Sequence, residues 1–281
     1  MNSAHQQSEA EVCMDLIARS PAFQLPHMLS MLQPLAPDTL TPAFMETAAT
    51  SYNATHPRVA VTNEGEEVLV CEAARVKEKN HFLKAKSSEV FHVNPVTLEA
   101  VISSTLSAPA KGSKETLRLA VESKLESYMS ERFPGKKALC GVYSSNQGNV
   151  IHICIIAENE SSRNLWSGIW CSQWQIDSLK GEIGGNIDIS AHYYENGNTQ
   201  LATRKEVSTT NLSSSSEAEY AEKVVAFISS AEEEVHAGLD AMIVNLDEET
   251  FKAIRRTMPI TRTKMDWSVN AVRMNRMVMR K

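Results

Sequence analysis

Between residues 138 and 207 the chain places five apolar stretches in succession: "ALCGVYS", "NVIHICIIA", "GIWCSQWQID", "GNIDISAHYY" and "TQLATRKEV". The last two are joined by Glu195-Asn196-Gly197-Asn198. Asn-Gly is a strong hairpin signal, because both central residues of a type I′ turn need positive φ. Period-two alternation sets Ile187, Ile189, Ala191 and Tyr193 on one face, with Asp188, Ser190, His192 and Tyr194 on the other. Residues 138–207 therefore read as a five-stranded antiparallel meander with one face covered.

The flanking sequence is helical at both ends. Residues 8–50 read as short helices broken by prolines, with a capping box at Ser8 and Glu11 and an N-cap at Thr41 before Pro42. "RVAVTNEGEEVLVC" reads as a hairpin around Asn63-Glu64-Gly65, while residues 72–112 show no clear pattern. "SKETLRLAVESKLESYMSERF" regains a helical period, with Leu117, Val121, Leu125 and Tyr128 on one side. Beyond the polar connection "STTNLSSSS" (208–216), a helix is predicted over about 216–243. Its seam of Ala221, Val225, Ile228, Val235, Leu239 and Met242 is interrupted only by Glu232. Such a helix is about 40 Å long, enough to cross the sheet and project beyond it. Glu232-Glu233-Glu234 reads as a solvated face. Another short helix is expected from Asp247 to Arg256, ended by Pro259.

The fold class is thus α+β. An N-terminal helical region (1–57) precedes small strands with a connecting helix (58–137). The sheet (138–207), the long helix (216–243) and a C-terminal helix with a basic tail (247–281) follow.

No phosphate-binding loop, HExxH, GxSxG or close Cys/His set occurs. "GEIGG" (181–185) is not a dinucleotide fingerprint and precedes a strand rather than a helix. The five cysteines are widely spaced, without a CxxC pair, and read as reduced, buried thiols. His192 reads as a sheet histidine bonded to a neighbour. Trp170 and Trp174 share a strand face and read as packing residues rather than a stacking platform for bases. These readings imply a non-enzymatic protein with no cofactor and no metal, whose acidic body has no nucleic-acid partner. No apolar run is long enough to cross a membrane and no leader is recognisable, so a cytoplasmic place is expected.

The charge distribution is the functional signal. Residues 252–281 hold nine cations and one acid, so this end carries +8 of a chain whose net charge is −6, and the first 251 residues carry −14. Trp267, Ala271, Met274 and Val278 fall on one side of a predicted helix, with Arg273, Arg276 and Arg280 around the others. A helix of about 13 residues is marginal alone in water and orders on a partner. An acidic protein surface, anionic lipid, calmodulin, nucleic acid or the chain's own body all fit this composition.

Two segments, "FKAIRRTMPITRTKMDW" (251–267) and "AHYYENGNTQL" (191–201), closely resemble signatures of the alpha subunit of F-actin-capping protein. "LWSGIWCSQWQI" (165–176) is similar to that family's tryptophan-containing strand. Asn196 stands where the family has an aspartate, and Ile254 and Met258 where it has leucines. The resemblance implies one half of a pseudo-symmetric, obligate heterodimer with a beta subunit, in which two five-stranded sheets join into one. It also implies a non-catalytic cytoskeletal function: binding filament barbed ends and blocking subunit addition and loss.

Within the resemblance, Lys252, Arg256 and Arg262 match the principal actin-binding cations. Lys264 and Trp267 match further positions of the C-terminal tentacle, and Met258 and Ile260 take the place of its apolar contacts. Arg273 and Arg276 of the basic helix complete the candidate actin-binding set. An end cap on an actin-related filament, in a dynactin-like or axonemal assembly, is the alternative. Phosphoinositides and proteins with capping-protein-interaction motifs are the regulators the family implies.

Overall fold

The computed structural model describes residues 8–245 apart from 22, 77–78, 107–112, 135–136, 146–148, 162, 164, 194–198, 213 and 215. The Glu195–Asn198 turn, the Asp247–Arg256 helix and the whole basic tail therefore lie outside the described residues. The chain divides into two compact units, one running to Glu232 and the other beginning at Glu233.

The first unit opens with three helices: α1 (Glu9–Ala18), α2 (Leu25–Leu32) and α3 (Pro42–Thr55). The expected caps are present. The Ser8 hydroxyl accepts from the Glu11 amide while the Glu11 carboxylate accepts from Ser8. Thr41 caps α3, whose first residue is Pro42. Cys13, Ile17, Leu25, Leu29, Leu40, Ala49 and Tyr52 form a separate helical core. The buried Tyr52 hydroxyl donates to the Ser20 carbonyl at 3.0 Å.

Two five-stranded sheets follow. β1 (Arg58–Thr62) and β2 (Glu67–Val70) form the expected hairpin, with Gly65 at φ +84° in its turn. β3 (His81–Leu83), β4 (Glu89–Val93) and β5 (Glu99–Thr105) arise from the stretch that showed no pattern. They complete a mixed sheet in the order β2-β1-β5-β4-β3, with a single short parallel pairing of Val61 and Thr62 on Glu99 and Ala100. After α4 (Ser113–Arg132) comes the predicted meander: β6 (Lys137–Ser145), β7 (Val150–Ser161), β8 (Trp166–Asp177), β9 (Glu182–Tyr193) and β10 (Thr199–Asn211), antiparallel throughout and in sequence order. β10 runs into the stretch taken for a polar connection, through a register shift between Val207 and Thr210.

The meander is covered on both faces over its β6–β8 half, not on one. Tyr143, Cys154, Ile156 and Cys171 pack against Val59, Ala60, Val68 and Phe91 of the mixed sheet. The other face meets α4 and, through Phe227 and Glu232, the long helix α5 (Glu217–Asn245). Burial on both sides explains why β7 reads as a nearly continuous apolar run. A buried ion pair also joins the sheets, Arg58 Nε lying 3.5 Å from Glu158, with the Phe23 ring under the guanidinium. All five cysteines are free and buried. The Cys154 thiol is pushed well above its usual range by hydrogen bonds with Cys171 and Cys71 and by burial, so thiolate chemistry is disfavoured there.

α5 buries Ala221, Val224, Ile228 and Glu232. The seam therefore passes through Val224 rather than Val225, and Glu232 is a core residue, not part of a solvated face. No described residue of the helix beyond Glu232 is buried.

Candidate functional site

The candidate actin-binding residues Lys252, Arg256, Met258, Ile260, Arg262, Lys264, Trp267, Arg273 and Arg276 lie outside the described residues. What the structure places are the surfaces that precede them: the two edges of the meander, one of its faces and the helix leading toward the tail.

The two edges are treated differently. At β6, α4 packs against the end strand. The Arg118 guanidinium donates to the Val142 carbonyl at 3.1 Å and is itself held by Glu115 and Glu122. Cys140, Val142 and Tyr143 are buried there. At the opposite end β10 pairs, among the described residues, only with β9, and its described side chains are exposed or half-exposed along its length. An open strand of this length is a template for pairing with another chain, which proteins normally block with charge, proline or a covering element. Arg204 and Lys205 stand in this strand, but no proline does, and Arg204 is drawn back to Asp188 on β9 at 3.7 Å.

The face beside that edge is apolar and incompletely covered. Ile189, Ala191 and Tyr193 of β9, Leu201 of β10 and Trp166 and Trp170 of β8 are all half-exposed. They share one side of the sheet by register, Trp166 opposite Tyr193 and Trp170 opposite Ile189. Farther along β8 the same side is closed by α5. Trp174 is buried with its ring edge-on to Phe227, the centroids 5.9 Å apart. This seat requires Gly185 directly opposite, since a Cβ there would lie 2.7 Å from the indole and would collide with the Gln173 carbonyl oxygen. The "GEIGG" stretch is thus a packing device for a tryptophan. His192 lies buried on the opposite side, in register with Ser167 and Gln200.

Glu232 pins α5 to this sheet. Its carboxylate accepts from the Tyr128 hydroxyl of α4 and the Ser172 hydroxyl of β8, both at 2.6 Å. Burial raises its pKa, while those two hydrogen bonds oppose the rise. Three elements meet at one charge, which fixes the helix lengthwise: a slide of one turn would strand the carboxylate without donors. Neither donor was legible in sequence, because they come from residues 60 and 104 positions away. The second unit carries the helix on from Glu233, with Val235, Leu239 and Met242 half-exposed at the same spacing.

Among the described residues no group of His, Cys, Asp or Glu is arranged to hold a metal ion. No described helix is long and apolar enough to cross a membrane.

Comparison with known proteins agrees with the fold and the motifs. The family model described as F-actin capping protein alpha subunit matches residues 13–277. An F-actin-capping protein subunit alpha of Gibberella zeae is 28% identical over 268 residues, covering 92% of this chain and 93% of the relative. One from Dictyostelium discoideum is 26% identical over 270 residues, covering 94% and 95%. A solved homodimeric actin capping protein alpha subunit from Plasmodium berghei superposes with a TM-score of 0.70 at 19% identity, over 90% of this chain and 98% of that one. With the meander, the helix laid on it and a family match spanning nearly its whole length, the chain belongs to the F-actin capping protein alpha subunit family.

Proposed function

We propose that this chain is the alpha half of a two-subunit capping protein that holds filament barbed ends through its basic C-terminal end. The observation that carries the reading is the open β10 edge, a surface that the sheet of a second subunit would close. Membership of the family supports an actin-capping role.

The mate we propose is a beta subunit, whose sheet would extend this one across the β10 edge. A second copy of the chain is the alternative mate, since the Plasmodium berghei relative is a homodimer. Native mass measurement after expression with and without a beta subunit separates the two.

Capping needs no chemistry. In the helix expected from the sequence, Lys252 and Arg256 would fall one turn apart and present two cations together. Were the stretch after Pro259 extended, Arg262 and Lys264 would point to one side. Met258, Ile260 and Trp267 would supply apolar contact, and Arg273 and Arg276 further charge. Occupying the terminal protomers blocks both growth and loss. Phosphoinositides would compete for the same cations, and proteins with capping-protein-interaction motifs would act as further regulators.

The test is seeded actin elongation from barbed ends with the assembled protein. Changing Lys252, Arg256 and Arg262 together to alanine is expected to leave the assembly folded and to weaken inhibition about tenfold or more. Capping that survives this change and also truncation before Met258 would remove the tail from the mechanism.

A further inference from the structure

A second open edge lies in the mixed sheet, where none is expected. β5 is the central strand of five, yet β1 accompanies it only as far as Thr62 opposite Ala100. Among the described residues, Val101 to Thr105 pair on the β4 side alone. The β1 chain turns away at Asn63, where the Gly65 amide bonds back to the Thr62 carbonyl. The result is a slot in the middle of the sheet, five residues or about 17 Å long.

Its wall is more apolar than solvent exposure justifies. Val101 is 59% and Ile102 56% exposed, with Val61 and Leu106 exposed beside them. Ala100, on the same strand, is buried in the core. The register shift between Val90 and Phe91 leaves Ser103 without an opposite residue and bends β5 at mid-slot. The mouth is acidic. Glu64, Glu66 and Glu67 follow β1, and the exposed Glu99 begins β5. The neighbouring cation Lys84 is already bridged to Glu66 and Glu89.

We infer that this slot is a docking site for an extended, basic peptide segment of another protein, which adds as a strand along Val101–Thr105. Backbone hydrogen bonds to the free side of β5 supply affinity, and successive side chains meet Val101 on one face of the sheet and Ile102 on the other. The acidic mouth selects lysine or arginine in the flanking positions. β10 takes no part, so the slot does not depend on whether the chain caps filaments.

The test uses the full chain, in the assembly in which it purifies. A fluorescein-labelled decapeptide of alternating lysine and valine is titrated by anisotropy, with alternating glutamate and valine as control. The lysine peptide is expected to bind and to slow amide exchange at Val101–Thr105. The double substitution Val101→Lys with Ile102→Lys, at exposed positions, is expected to weaken it about tenfold or more without moving the unfolding midpoint.

Four outcomes overturn the proposal. They are equal binding of the glutamate peptide, unchanged binding to the double variant, no binding at about 1 mM, a concentration corresponding to roughly 4 kcal/mol, and self-association that the double variant abolishes, which would give the slot to a second copy.

Discussion

Glu232 shows how a single residue can be misjudged from its neighbours. In a run of three glutamates it looks solvated, yet it is the most deeply set charge of α5. Glu233 and Glu234 are exposed beside it. Alanine at 232 removes the acceptor of two buried hydroxyls, and the expected loss in unfolding free energy is about 2–3 kcal/mol. Glutamine keeps one acceptor and is expected to cost less. The pH dependence has a defined sign. A carboxyl whose folded pKa is raised binds its proton more tightly folded than unfolded. Its contribution is therefore full below the ordinary value of 4.5 and declines as pH rises through the folded value. Denaturant midpoints of the Gln variant relative to the parent are expected to shift in favour of the variant as pH rises from about 4 to 8. A parallel pair of curves would remove the ionised carboxylate from the account. The interruption of the seam was plain in the sequence, but its meaning was not, because Tyr128 and Ser172 reach it only through tertiary packing.

At the scale of elements, legibility followed turn chemistry. The meander was readable because alternation and an Asn-Gly pair mark its strands. The mixed sheet was not, although it has as many strands. β3 has three residues, and left-handed backbone around the new strands falls on Asn80, Lys86 and Leu98 rather than on glycines. Its only parallel pair joins strands separated by the whole β2–β4 stretch. The second face of the meander was missed for the same reason, since the sheet that covers it was unseen. α5 was read nearly to its ends, and its two stretches make different demands. Up to Glu232 substitutions strike a core. Beyond it none of the described residues is buried, so lysine at Leu239 and Met242 together is expected to leave the unfolding midpoint within about 0.5 kcal/mol while preventing assembly with the mate. Light scattering reads the second effect and denaturation the first. A variant that still assembles would assign the seam to another task.

At the scale of the whole molecule the chain is an acidic body carrying a basic end, −14 against +8. In the proposed function, attraction between that end and an acidic filament tip would be screened within about 8 Å at physiological ionic strength. The rate of barbed-end association is therefore expected to fall steeply with added salt while dissociation changes little, as stopped-flow capping measurements would show. Equal salt dependence of both rates would mean that the cations act in the bound state alone. The edge arrangement of the meander also has a consequence for the cell. On one side Arg118 and α4 pack against the end strand, and the other is left open along β10. A chain made without its mate displays thirteen residues of unclaimed strand, and such strands find one another. In the two-subunit protein proposed above, supply of the halves would therefore have to be matched, by coupled synthesis or by prompt destruction of the surplus, and gene dosage would be as consequential as any residue in the chain.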